Sequence, residues 1–186
     1  MKFISTEHWT YERLIAELPA ESQYELRDHN LIEMPAPKRI HQIIVFEVAK
    51  ILDQFTRIND LGNIYISPLD VILDEGNTCQ PDVIFLSKEQ RHLSREEGIF
   101  GTPDLLVEVV SKGSVVRDYV EKKNDYEKFG VQEYWLIDPL NQTIIVNALI
   151  DGKYQVFSSV EEKGIAQSKL LEGFQLGYDD VFTANN

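Results

Sequence analysis

Residues 104–110, Asp-Leu-Leu-Val-Glu-Val-Val, constrain this chain more than any other stretch. Apolar residues fall on both sides of the alternation, the pattern of a strand covered on both faces. Such a strand needs a layer above its sheet and a layer below, so the chain belongs with α/β (α+β mixed sheet) folds that flank a central sheet with helices. The same strand carries Glu108 in its middle, on the side shared by Asp104, Leu106 and Val110, while Leu105, Val107 and Val109 point the other way. An unpaired buried carboxylate costs several kcal/mol or takes up a proton. Glu108 therefore has a cationic partner, is protonated, or holds a metal ion.

The elements around that strand read as follows. Residues 6–18 show helical spacing of Trp9, Leu14, Ile15 and Leu18 after Thr6 and Glu7, and Pro19 ends them. Residues 23–34 read as a hairpin that turns at Asp28-His29-Asn30, residues that tolerate left-handed backbone. Pro35-Ala36-Pro37-Lys38-Arg39 is a stiff connector, and residues 39–58 form the longest helix. Strands are expected at 63–73, 82–86, 104–110, 135–138, 143–150 and 153–157, with a short tail strand near 165–170 and a second helix over 116–129. Asp151-Gly152 marks a hairpin turn. No repeat or linker interrupts residues 1–186, which are expected to form one domain.

Composition narrows the function classes. No apolar run approaches the roughly 18 residues that span a bilayer, the N-terminal residues are too polar for a signal peptide, and Cys79 is the single cysteine, all of which suit a cytoplasmic protein without a membrane partner. The formal net charge of −13 argues against nucleic acid, because phosphate neutralisation normally needs a basic footprint. An acidic chain needs local Lys/Arg clusters or a divalent metal to accept DNA.

The candidates for chemistry lie close to Glu108. Pro81 fits a strand's first position, so Asp82 marks the start of a neighbouring strand. Two carboxylates converging from adjacent strands suit Mg²⁺ or Mn²⁺; alternatively, Asp82 caps a turn and Glu108 pairs with Arg or Lys. At about 100° per residue from Asp118, Lys122 falls inside a stripe formed by Phe129, Tyr126 and Tyr119, whereas Lys123 and Lys128 fall outside it. An inward lysine is a structural ion-pair partner of Glu108, a snorkelling side chain, or an ammonium aimed at a metal-bound phosphate or water. His41 shares the face of Val45, Val48 and Leu52 in the first turn of the long helix. It is a core histidine or, with Lys38 and Arg39, a phosphate contact. Cys79 lacks zinc-site spacing, and no P-loop, Rossmann or GxSxG motif occurs.

Gln-Pro-Asp-Val-Ile-Phe from residue 80, Pro-Asp-Leu-Leu-Val-Glu-Val-Val-Ser from residue 103 and the block from Arg117 to Pro139 resemble the Uma-two family of restriction endonucleases, within the PD-(D/E)XK superfamily. The segment from Tyr24 to Gln42 resembles the family's N-terminal segment, so the resemblance spans roughly residues 23–150. It implies a restriction-endonuclease-like fold and Mg²⁺ (or Mn²⁺) bound by Asp82 and Glu108. The family's helix pattern of Asp, Lys and Tyr falls on Asp118, Lys122 and Tyr126, and its N-terminal acid and histidine fall on Glu33 and His41. The superfamily lysine two residues after the glutamate is Val110 here, so the resemblance moves that role to Lys122, with Lys112 as a rival. Gln132 and His29 replace a proline and a glycine of the family pattern and read as structural changes.

The expected function is a Mg²⁺-dependent endonuclease that hydrolyses DNA phosphodiester bonds, with Asp82, Glu108 and Lys122 as catalytic residues and Glu33, His41, Asp118, Tyr126 and Lys112 in support. A homodimer is expected, since superfamily members often act as dimers and the apolar strands at 143–157 leave a sheet edge to cover. The competing expectations are a non-catalytic homo-oligomeric or DNA-associated module that keeps the fold, and a phosphoesterase with a small substrate.

Overall fold

The computed structural model describes residues 3–5, 7–19, 23–34 and 36–183. Strands β4 (Gly62–Ile66), β7 (Val83–Ser87), β9 (Leu105–Val109), β10 (Glu133–Asp138), β11 (Thr143–Ile150) and β12 (Lys153–Glu161) form the main sheet, in the order β12-β11-β10-β9-β7-β4. A second sheet holds β1 (Phe3–Ser5), β2 (Tyr24–Arg27), β3 (Asn30–Glu33), β5 (Val71–Asp74), β6 (Asn77–Cys79) and β8 (Ile99–Phe100), in the order β1-β3-β2-β6-β5-β8. A small ribbon pairs β13 (Ile165–Gln167) with β14 (Gln175–Gly177). The helices are α1 (Tyr11–Glu17), α2 (Arg39–Ile58), α3 (Lys123–Phe129) and α4 (Tyr178–Phe182). The mixed α+β architecture expected from the sequence is present.

Strand β9 is central and buried along its whole length, parallel to β10 and antiparallel to β7. Its alternation sorts the molecule into two cores. Leu105, Val107 and Val109 meet Ile44, Val45, Val48 and Leu52 of α2. Leu106 and Val110 pack on the opposite side with Tyr126 of α3 and with Val71, Cys79 and Ile99 of the second sheet. Glu108 shares that second side.

Several boundaries differ from the sequence reading for identifiable reasons. The run 63–73 is two strands in two sheets: residues 67–70 break it, and Pro68 offers no N–H to a ladder. Helix α1 begins only after Thr10, whose Oγ1 accepts the Arg13 N–H at 3.3 Å; Trp9 lies before the helix and packs with Leu26 and Leu31. Thr6 and Pro35, part of the expected helix start and connector, lie outside the described residues. The tail strand stops at Gln167 because the buried Glu133 carboxylate captures the next turn, accepting from Ser168 Oγ at 2.6 Å and from the backbone N–H groups of Lys169 and Leu170 at 2.8 and 2.9 Å. Both hairpin turns hold. Asp28-His29 and Asp151-Gly152 carry φ values of 46°, 63°, 51° and 76°, the positive pairs that a two-residue turn of matching twist requires. Among the described residues no helix is long and apolar enough to cross a membrane.

Candidate active site

The site forms where three elements meet: the end of β9, the start of β7, and the helix that leads into α3. That helix opens with a wide π turn over Arg117–Lys122. A π turn holds roughly 4.4 residues, so a four-residue step falls short of a full turn, whereas in an α-helix of 3.6 it overshoots. Asp118 to Lys122 undershoots, Lys122 to Tyr126 overshoots, and the two drifts nearly cancel. All three side chains therefore stay on one face of the helix, and Lys122 and Tyr126 reach Glu108 of β9. The sequence reading assumed uniform α-helical phase and spread them over about 80°.

Glu108 is 4% exposed, and its Oε1 accepts from the Lys122 ammonium and from the Tyr126 hydroxyl, the latter at 2.7 Å. Its Oε2 accepts no hydrogen bond among the described residues. Lys122 is itself buried, so the inward lysine read from the helical phase is present and touches Glu108 directly. Asp82 sits at the mouth of β7, where its Oδ2 accepts the Val109 N–H at 2.7 Å and lies 3.1 Å from His41 Nε2. That pair of contacts fixes the carboxylate between β9 and the first turn of α2 and leaves Oδ1 without a donor among the described residues. His41 Nδ1 is buried with no hydrogen-bond partner among the described residues. Asp118 is buried, accepts from Ser114 Oγ, and its backbone carbonyl accepts from the Tyr134 hydroxyl at 3.0 Å.

Two residues of this cluster escaped the sequence reading. Glu25 of β2 is buried; its Oε2 binds Arg117, and its Oε1 accepts the Gln80 N–H at 3.0 Å while lying 3.7 Å from Lys122 Nζ. Arg117 is buried too and also reaches the Met34 sulfur. The signal existed. Leu26, Leu31 and Ile32 place apolar residues on both faces of the β2–β3 hairpin, so Glu25 poses the same question as Glu108. The remaining candidates stand apart: Glu33 is exposed at the end of β3, and Lys112 is exposed in the turn after β9.

Charge governs the cluster. Glu25, Asp82, Glu108 and Asp118 are buried carboxylates, and only Lys122 and Arg117 among their buried neighbours carry permanent positive charge. Burial pushes the Glu108 carboxyl up; Lys122 pulls against this, and Asp82 and Asp118 add to it. Burial raises Asp118 as well, opposed by Lys122 and Ser114. Burial works against the Lys122 ammonium, but Glu108 and Glu25 outweigh it and hold the lysine above its ordinary value. Glu108 and Lys122 thus both cling to protons, and the common source is an excess of negative charge in a dry place. Glu25 is the exception. Burial would raise it, yet Lys122 and Arg117 bring it below the usual carboxylate range.

Among the described residues no three or more His, Cys, Asp or Glu side chains stand together as a ready-made metal cage. Mg²⁺ does not need one, since it typically binds through one or two carboxylates and keeps several waters. Two fixed carboxylates, each with an oxygen that no donor among the described residues occupies, in a cluster with more buried carboxylates than buried cations, fit a divalent cation.

The profile of the Uma2 family, described as "Putative restriction endonuclease", matches residues 10–179. A solved structure from Anabaena variabilis ATCC 29413, titled as a putative nuclease belonging to DUF820, superposes with a TM-score of 0.76. It shares 19% identity, and the alignment covers 94% of this chain and 97% of that one, which establishes a common fold. No curated protein matches. With most of its length matched by that profile, the chain belongs to the Uma2 family.

Proposed function

We propose that this protein is a metal-dependent nuclease that hydrolyses DNA phosphodiester bonds. The observation that carries the reading is a cluster of four buried carboxylates set against two buried cations around the mouth of two central strands, in a chain of a family described as "Putative restriction endonuclease". Asp82 and Glu108 would hold Mg²⁺ or Mn²⁺. A cation there supplies Lewis acidity toward the phosphate and a lowered pKa for bound water. The protein's own groups do the rest. Val109 N–H and His41 fix the Asp82 carboxylate. Tyr126 orients Glu108, and Lys122 places an ammonium beside it, where negative charge develops on the phosphate oxygens during attack. Lys38, Arg39 and Lys112 are exposed and suit contacts to the DNA backbone, which eases the objection raised by an acidic chain.

A non-catalytic relative is the second reading, favoured by the direct Lys122–Glu108 contact, which gives both buried groups a partner without any metal. One experiment separates the two. Purified protein with Mg²⁺ or Mn²⁺ is expected to degrade plasmid DNA, and EDTA is expected to stop it. Intact plasmid at every metal and salt concentration, alongside intact single-stranded DNA and RNA, would leave the non-catalytic reading.

We also infer a homodimer. Strand β12 ends the main sheet, and Val156, Phe157 and Ile165 are 59%, 44% and 54% exposed around it, an apolar surface suited to a second copy. Light scattering is expected to report a dimer at micromolar concentration, and Phe157→Lys to shift it toward monomer. A wild-type monomer under those conditions would count against the dimer.

A further inference from the structure

Glu25 has no place in the nuclease chemistry described so far, yet it meets both buried cations and the backbone beside Asp82. Its Oε1 accepts the backbone N–H of Gln80, two residues before Asp82. Its Oε2 holds Arg117 at the start of the π turn, and Lys122 lies 3.7 Å from its Oε1. Lys122 thus stands between two carboxylates, in contact with Glu108 and within reach of Glu25. A cavity of about 30 Å³ borders Glu25, Arg117, Lys122, Cys79 and Tyr126, room for a water or a small side-chain movement on that side of the lysine.

We infer that Glu25 is a second seat for Lys122: the ammonium transfers its contact from Glu108 to Glu25 when Glu108 ligates a divalent cation. The inference rests on the metal-dependent reading above. A carboxylate cannot serve an ammonium and a divalent cation at full strength through neighbouring oxygens, because the two positive charges repel each other across a few ångströms of dry protein. Without another partner, Lys122 would either compete with the cation or be left buried and unpaired, and both outcomes weaken metal binding. Glu25 removes the conflict. It is already ionised by its contacts with both cations, and it is fixed at Oε2 by Arg117 and at Oε1 by Gln80, so accepting Lys122 requires no rearrangement of its own. Glu25 is therefore a positioning residue that acts through Lys122.

A double-mutant cycle on Mn²⁺ affinity, read by calorimetry, tests this without any cleavage assay. Glu25→Gln is expected to weaken Mn²⁺ about tenfold in the presence of Lys122, and less than about twofold in a Lys122→Met background, where no ammonium needs a second seat. An equal loss in both backgrounds would reduce Glu25 to one more negative charge near the metal and overturn the inference. An unchanged affinity in Glu25→Gln would overturn it too. If wild type binds no Mn²⁺, the metal-dependent reading itself fails and the inference falls with it, so the two failures are distinguishable. Glu25→Gln leaves Arg117 buried without a carboxylate to balance its charge. Should that variant lose its cooperative melt, Glu25→Gln/Arg117→Gln removes the pair together and carries the same two expectations.

Discussion

Asp82→Asn is expected to abolish the Mn²⁺ heat seen by calorimetry while the protein keeps a cooperative melt. Asparagine preserves an oxygen that can accept the Val109 N–H, so the junction between β7 and β9 survives, whereas Asp82→Ala leaves that buried donor without its acceptor and removes the carboxylate beside His41 Nε2. A buried donor so orphaned costs about 1–3 kcal/mol. The alanine variant would therefore mix a loss of stability with a loss of metal. The asparagine variant isolates the charge, and cleavage should fall with it to the level of an EDTA control. The pH dependence of wild type has a definite sign. Burial holds a proton on Glu108 above the ordinary carboxylate range, and that proton must leave before the oxygen can ligate a cation. Mn²⁺ affinity is therefore expected to fall as the pH is lowered through neutrality toward the ordinary carboxylate range, and to be greatest on the alkaline side. Titrations that match between wild type and Asp82→Asn would remove Asp82 from the metal site.

The fold was legible where one periodicity ran uninterrupted. The long helix falls at residues 39–58 as its apolar spacing indicates, and β9 keeps its two faces apart as strict alternation demands. Legibility failed where a distant group decides a local boundary. Nothing in residues 165–170 announces that Glu133, some thirty-five residues earlier, ends their strand by capturing two backbone N–H groups and a serine hydroxyl. The site divides the same way. Glu108 declared itself as a charge in an apolar strand, and Lys122 as a charge in an apolar stripe. Glu25 passed unnoticed because a glutamate in a short hairpin looks solvated until the second sheet is known to pack against α3. The π turn is invisible to any method that assumes constant phase. Here it corrected the angles and left the partners unchanged, since four-residue spacing is close to one turn in either geometry.

Lys122→Met is expected to lower cleavage by about 10²-fold or more, the scale of removing one donor that stabilises transition-state charge, while Mn²⁺ binding is kept or improved. Methionine fills the buried space with an unbranched chain of similar length, so core packing is conserved. It also leaves Glu108 free of its ammonium but still held by the Tyr126 hydroxyl. Lys112→Ala is the counterpart. Lys112 is exposed in the turn after β9, on no rigid element, so its removal should weaken DNA binding modestly and lower the salt slope, with little change in turnover at saturating DNA. The pair is diagnostic because the two lysines differ in burial and support, not in charge. If Lys112→Ala abolishes turnover and Lys122→Met does not, the catalytic ammonium belongs to the loop and Lys122 is a counterion. If both variants cleave as wild type does, neither lysine contributes, and the chemistry rests on the carboxylates and their cation. If Lys122→Met binds Mn²⁺ more tightly than wild type yet cleaves far more slowly, the lysine competes with the metal for Glu108 in the ground state and is needed only as charge develops. A structural counterion cannot produce that combination.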